Sequence, residues 1–362
     1  MDDCLIIGGG IIGMLTARQL ANAGMTVTLL EKGRTGRESS WAGGGIISPL
    51  YPWRYPEPVT ALAAWSQAHY KALAHALFEE SGIDPEYVPS GLLMLDVEDH
   101  EQAIEWSRRH QISLQAPEAE ALPHMEPALS PQHGTSLWMP QVAQIRNPRL
   151  AKALHAALKE RVTIEEHTEV DELLIDAQRI VGARSASRTF HAKTVIVCAG
   201  AWSLRLLATL PTPPEIEPVR GQMILFQTPP GLIRHIVLKQ ERYAIPRRDG
   251  RVLVGSTLEH VGFEKITTDS ALSELRKRAF DLFPALANYP IEHHWAGLRP
   301  GSPSGIPYIG AYPHIDGLYI NAGHFRNGVV LGPASAQLAA DLVLGRPPIV
   351  DPAPYAPNAC RV

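Results

Sequence analysis

The first 32 residues restrict the fold more than any other part of the chain. Residues 4–7 are a short apolar run, Gly8-Gly9-Gly10-Ile11-Ile12-Gly13 follows, and residues 25–30 are a second apolar run ending at Glu31-Lys32. Between them Ile12, Leu15, Leu20 and Ala23 recur at roughly helical spacing, and Gly24 stands where a helix terminus favours positive φ. The pattern is strand–helix–strand, so the strands lie parallel and are joined by a crossover. Each glycine of Gly8-x-Gly10-x-x-Gly13 then has a task. Gly8 permits the tight turn, Gly10 lets the backbone approach a pyrophosphate, and Gly13 lets the helix pack closely on the strand. The helix N-terminus offers N–H groups and the positive end of its dipole to phosphates. Glu31 lies 18 residues past Gly13, near the ~20 at which such folds place a carboxylate for the ribose hydroxyls. A carboxylate there repels a 2′-phosphate, which disfavours NADP.

Three features favour FAD over NAD. The fingerprint starts within a few residues of the N-terminus. A Gly/Ser-rich segment, residues 39–47, follows soon after the second strand and can run along a long cofactor. A strand ending at Ala199-Gly200 supplies a second approach by small residues. No second GxGxxG occurs, so a separate nicotinamide domain is not expected. A lone flavin must pass its electrons to oxygen, a quinone or a partner protein.

Composition narrows the class further. Lys plus Arg number 33 against 37 Asp plus Glu, a net charge of −4, which disfavours nucleic acid as a partner. A 45% hydrophobic content excludes a mostly disordered chain. No apolar run approaches the ~20 residues of a membrane span, and the N-terminus lacks a secretory signal. A cytoplasmic protein without membrane contact is expected. Cys4, Cys198 and Cys360 show neither metal-ligand nor disulfide spacing, so no metal site is expected.

Along the rest of the chain, residues 33–58 lack periodicity and residues 60–81 read as helix. Residues 90–145 read as short strands and turns. Asn147-Pro148 opens a helix, with Asn147 as N-cap. Residues 194–200 read as a strand buried on both faces, and 209–218 as a Pro-rich boundary. Strands dominate 219–296, with one helix near 268–286 and an Asp249-Gly250 hairpin. Residues 317–323 form a further strand, and 333–344 the last helix, closed by Gly345.

Seven segments in order (residues 6–13, 31–32, 38–45, 218–222, 295–301, 305–310 and 322–328) make nearly the whole chain resemble the D-amino-acid oxidase superfamily of flavoproteins. Within it the chain is most similar to the glycine oxidases of thiazole assembly in thiamine biosynthesis. The resemblance implies an α/β fold: a Rossmann-like FAD-binding domain with a parallel sheet (1–88, 146–218 and 297–362) and an antiparallel-sheet, α+β substrate-binding domain (89–145 and 219–296). It places Ile11, Ile12, Glu31 and Lys32 at the pyrophosphate and adenosine half of FAD. Glu38, Ser39, Gly43, Gly44 and Gly45 go along the ribityl and isoalloxazine side, and Val170 presents its backbone to adenine. His324, Phe325, Arg326, Asn327, Gly328, Val329 and Val330 pass beside the ring. Arg299 holds the substrate carboxylate, helped by Tyr243, with Arg326 close by.

The implied reaction is oxidative deamination of glycine and other small primary or secondary amines, such as sarcosine and small D-amino acids. Hydride leaves the substrate Cα for flavin N5, and O2 is reduced to H2O2. The imine serves thiazole formation or hydrolyses to an oxo acid and ammonia. The family suggests a homotetramer. The one late cysteine, Cys360, lies outside any flavin-attachment motif, which implies non-covalent FAD. Sarcosine oxidase, a D-amino-acid dehydrogenase feeding a quinone, and a non-enzymatic flavin-fold partner protein are the alternatives.

The residues themselves suit this chemistry. A planar arginine fork takes a carboxylate bidentately and stays charged. A neutral amine releases hydride without a dedicated base. Accordingly His293, His294 and His324 read as hydrogen-bonded structural histidines, Trp41 as a cap on the flavin pocket, and Arg247-Arg248 as a solvated pair beside the hairpin turn.

Overall fold

The computed structural model describes residues 2–131 and 133–361. β1 (Asp2–Ile7), α1 (Ile11–Asn22) and β2 (Val27–Leu30) form the expected crossover unit with parallel strands, and Gly24 closes its turn at φ +90°. The chain continues through α2 (Ser39–Ala42), α3 (Glu57–Ser81), β3 (Leu92–Leu95), α4 (His100–Arg109), α5 (Leu122–Met125), β4 (Leu137–Met139), α6 (Asn147–Leu158), β5 (Thr163–Glu165), β6 (Val170–Asp176), β7 (Arg179–Ser185) and β8 (Thr189–Val197). Then come α7 (Ser203–Leu207), β9 (Glu217–Phe226), β10 (Ile236–Lys239), β11 (Arg242–Pro246), β12 (Val252–Gly255), α8 (Asp269–Leu282), β13 (Ile291–Gly301), β14 (Tyr308–Ala311), β15 (Leu318–Ala322) and α9 (Gly328–Leu344).

These strands build two sheets. The first runs β14-β15-β8-β1-β2-β5; β15, β8, β1, β2 and β5 are parallel, and β14 is antiparallel at the edge. β6 and β7 extend from β8 as an antiparallel ribbon. The second runs β13-β9-β12-β11-β10-β3-β4 and is antiparallel except where β10 meets β3. The fold is therefore α/β, a Rossmann-like sheet beside a mainly antiparallel one.

The first sheet is buried on both faces, as parallel sheets require. Cys4 and Ile6 of β1 pack with Leu15, Leu62, Leu154 and Leu338 of the covering helices. Leu5 and Ile7 point the other way, to Val195, Val197 and Ile320. The alternation follows from the two-residue period of a strand.

Several local expectations change. Arg146, not Asn147, is the N-cap of α6; Asn147 begins the helix, fully buried. Within 90–145 the surface helix α4 was not anticipated. Its apolar face is narrow and set among charged residues: Ala103 and Ser107 are buried, and Trp106 is half-buried against the core of the second sheet. The last helix, α9, begins at Gly328 and contains Pro333. Proline has no N–H to reach the Val329 carbonyl one turn back. Tyr70 Oη donates to that oxygen at 2.6 Å, and Ala334 N–H donates to Ser66 Oγ at 3.0 Å, so α3 repairs the helix across the proline.

Candidate active site and cofactor cleft

One long cleft starts at the carboxyl ends of β1, β2 and β8 and reaches the second sheet. Open α/β sheets place ligands at this edge. At its start Gly8 has φ +114°, and a Cβ there would lie 2.4 Å from the Cys198 carbonyl oxygen. A Cβ on Gly13 would lie 1.9 Å from the Gly8 oxygen, so this residue sits beneath the cleft and lets α1 press on β1. Glu31 is buried. Its Oε2 accepts from Gly9 N–H at 2.8 Å and its Oε1 from Gly33 N–H at 2.9 Å, which fixes the carboxylate at the wall. Lys32 Nζ stands 3.2 Å from the centre of the Trp202 ring, and burial pushes its pKa down. Val170 opens β6 and lines the same end beside Thr168. One donor expected to be free at the start of α1 is engaged: Ile11 N–H donates to Ser40 Oγ at 2.9 Å.

Further along, Gly43, Gly44 and Gly45 line the cleft with Glu38 and Ser39. Glu38 pairs with Lys265 at 2.7 Å. Behind the loop, Ile145 N–H donates to the Gly45 oxygen at 2.8 Å. A Cβ on Gly44 would lie 2.8 Å from Ile245 Cδ1 and 3.1 Å from the Tyr243 ring, so the glycines admit second-sheet side chains. Opposite, residues 324–330 form a single turn running into α9, and all of them line the cleft. His324 Nε2 lies 2.6 Å from Ser335 Oγ, whose own proton goes to Asn321 Oδ1 at 2.7 Å. His324 must then be the donor, and burial pushes its pKa down to about 3.

Three readings of the sequence are corrected. His293 and His294 are not hydrogen-bonded structural histidines: His293 is exposed beside Glu292, and the buried His294 Nε2 has no partner among the described residues. Arg247 is not solvated. It is buried, and it donates to Gly44 O at 2.6 Å, to Gln144 Oε1 at 2.7 Å and to Ile145 O at 3.3 Å; only Arg248 reaches the surface, where it meets Asp84. The fold draws it in because the hairpin turn lies against the glycine loop. Trp41 does not cap the cleft but packs edge-on against Trp295 at 5.4 Å.

The cleft ends at Tyr243, Ser256, Arg299 and Arg326. Arg299 stands near the end of β13. Its Nη2 donates to Ser256 Oγ at 2.6 Å and its Nη1 to Thr257 O at 3.2 Å, so both partners are neutral. Glu259 acts on it only at a distance and is itself bonded by Arg220 at 2.5 Å. Burial is the main cause that pushes the Arg299 pKa down, and Arg326 adds to it. Arg326 is paired, to Glu241 at 3.1 Å. Every candidate site residue thus lines this cleft except Gly13, which supports it. Sequence reasoning missed Ser40, Arg247, Ser256 and Trp202. Ser40 had a signal, its place in the Ser39-Ser40 motif.

The two sheets and their shared cleft define a dinucleotide-binding protein whose cofactor meets a second, antiparallel sheet. Residues 3–342 match the DAO family, FAD dependent oxidoreductase. A glycine oxidase of Pseudomonas aeruginosa is 51% identical over 355 residues, with 98% of each chain covered. A bifunctional protein ThiO/ThiG of Synechocystis is 31% identical, and the match covers 94% of this chain and 51% of that protein. The crystal structure of glycine oxidase from Geobacillus kaustophilus superposes with a TM-score of 0.92 at 30% identity over 98% of both chains. The chain belongs to the DAO family of FAD-dependent oxidoreductases. FAD suits the cleft on this structure's own terms: Gly8, Gly10, Gly43, Gly44 and Gly45 line it with bare backbone, and Glu31 is held ready as an acceptor at the wall.

No helix among the described residues is long and apolar enough to cross a membrane. Among the same residues no cluster of His, Cys, Asp or Glu is arranged to hold a metal ion.

Proposed function

We propose that this protein oxidises glycine and other small primary or secondary amines, including sarcosine and small D-amino acids, with O2 as acceptor and H2O2 as product. Arg299 carries the reading. It is a guanidinium without a carboxylate partner among the described residues, at the far end of a flavin cleft. A desolvated charge is costly until a counter-ion arrives, and the fork geometry selects a carboxylate. Ser256 and Thr257 orient the fork, and Tyr243 adds a hydroxyl at the same place. Bound FAD supplies the two-electron acceptor for hydride from the substrate Cα.

The residues favour substrate that enters with a neutral amine. His324 is spent on Ser335 and stays uncharged across the working pH range, which fits a positioning role better than that of a base. The names of the relatives, glycine oxidase and ThiO/ThiG, support use of the imine for thiazole formation in thiamine biosynthesis.

Non-covalent FAD is part of the proposal. The Cys198 thiol, beside the cleft, is pushed up to about 12 by burial and is therefore a poor nucleophile, and Cys360 is exposed in the tail. We also assign residues 1–88, 146–218 and 297–362 to the FAD-binding domain and 89–145 and 219–296 to the substrate-binding domain. β9 and β13 pass without interruption through 218 and 296–297, so these boundaries would fall inside paired strands. A cytoplasmic homotetramer completes the reading. Oxygen uptake and peroxide release with glycine, sarcosine and D-alanine test the activity. Peroxide with all three supports it, and amine-dependent reduction of a quinone without oxygen uptake contradicts the oxidase assignment.

A further inference from the structure

We propose that Arg247 is a positioning residue of the cofactor cleft, holding the Gly44–Gly45 peptide so that the Gly45 N–H is presented to FAD. The inference rests on the FAD assignment and concerns a residue outside the cleft lining.

The backbone of Arg247 is locked first. Its N–H donates to Arg251 O at 2.8 Å and its carbonyl accepts from Gly250 N–H at 3.0 Å, across the hairpin turn between β11 and β12. From this fixed base the side chain crosses to the loop that follows β2 and α2. Nη2 reaches Gly44 O at 2.6 Å, and Nη1 reaches Gln144 Oε1 and Ile145 O. All three acceptors are neutral. A buried cation without a charged partner is an expensive way to fill space, and an apolar side chain of similar volume would cost less. What the guanidinium does, and an apolar group cannot, is bind two backbone carbonyls at once.

The consequence follows from peptide planarity. In a trans peptide the C=O and the next N–H point to opposite sides. The Gly44 carbonyl is drawn toward Arg247, behind the loop, so the Gly45 N–H is turned the other way. Gly44 and Gly45 both line the cleft. The next carbonyl, Gly45 O, is taken by Ile145 N–H at 2.8 Å, which continues the same clamp. The loop needs one. Gly45 has φ +77°, and a Cβ there would lie 2.0 Å from Ile145 O, so glycine is required and brings conformational freedom with it. Burial lowers the Arg247 pKa to about 10, which leaves it protonated at neutral pH.

Arg247→Met and Arg247→Lys, with the exposed neighbour Arg248→Met as control, test the proposal. The readouts are FAD affinity of the apoprotein, the visible spectrum of bound flavin, its midpoint potential, and apoprotein melting. Arg247→Met should weaken FAD binding roughly ten-fold or more, the loss expected for a charge-assisted hydrogen bond. It should also shift the spectrum and the potential. Lys, which keeps the charge but reaches fewer acceptors, should fall between Met and wild type, and Arg248→Met should match wild type. Wild-type affinity, spectrum and potential in Arg247→Met would overturn the proposal. If the Met variant does not fold, Arg247→Lys decides on the same readouts: a shifted potential supports the role and an unchanged one overturns it. Wild-type apoprotein that takes up no FAD would instead overturn the cofactor reading, and this inference with it.

Discussion

The guanidinium of Arg299 fills the space that a side chain at Gly221 would take: a Cβ there would lie 2.1 Å from Nη1. Arg299 pairs with Val219 across β13 and β9, and Gly221 is its diagonal neighbour on the same face. The glycine is therefore the floor on which the proposed carboxylate anchor rests. Gly221→Ala should displace the fork while leaving FAD bound. The expected loss is roughly 1.5–3 kcal/mol, or about 10- to 150-fold in kcat/KM for glycine. Steady-state kinetics together with flavin content check this; unchanged kinetics would mean that Arg299 does not work from this position.

Glu31 is bonded to its own loop as well as facing the cleft, which makes Glu31→Ala a double lesion. FAD affinity should fall, and the apoprotein should also lose stability, because the Gly9 and Gly33 N–H groups lose their acceptor at roughly 1–3 kcal/mol each. Glu31→Gln keeps an acceptor for one of them and should melt closer to wild type while still binding FAD weakly. Apoprotein melting and FAD titration separate the two effects. Equal FAD affinity in all three proteins would remove Glu31 from the cofactor site.

His324 predicts a pH dependence of definite sign. Its ordinary pKa of 6.5 falls to about 3 in the folded protein because burial disfavours the charged ring. Between those values the unfolded chain binds the extra proton and the folded one does not, so stability falls as pH drops through that window. From pH 7 to 5 this residue should remove about 2 kcal/mol. Urea unfolding of wild-type and His324→Gln apoprotein at both pH values should show that difference, and parallel losses in the two proteins would contradict it.

Acid precipitation tests the mode of FAD attachment. With the Cys198 thiol pushed up to about 12 and Cys360 exposed in the tail, all flavin should leave with the supernatant. Colour retained by the precipitate would show a covalent bond.

The glycine fingerprint and Glu31 were legible because their spacing alone encodes a crossover unit; the φ of Gly8 and the contact of Gly13 with the Gly8 carbonyl follow directly. What stayed hidden depends on neighbours distant in the chain. Pro333 marked a helix start only because the donor that rescues Val329 O is Tyr70, on another helix. Arg247 looked like a surface charge because nothing near it in sequence announces that residues 44 and 144–145 close over it. Arg299 was found through its motif. That both its bonds go to neutral acceptors, while Glu259 goes to Arg220, is a property of the packed strands.

The most direct test mixes the oxygen-free holoprotein with glycine and follows the flavin absorption band, in wild type and in Arg299→Lys. Lysine keeps the charge but loses the bidentate fork. Wild type should bleach in a saturable, glycine-dependent way, and Arg299→Lys should need roughly 10- to 150-fold more glycine for the same bleaching rate, as a loss of about 1.5–3 kcal/mol implies. Flavin that stays oxidised in wild type under glycine, or that bleaches equally in both proteins, would contradict an amino-acid oxidase anchored at Arg299.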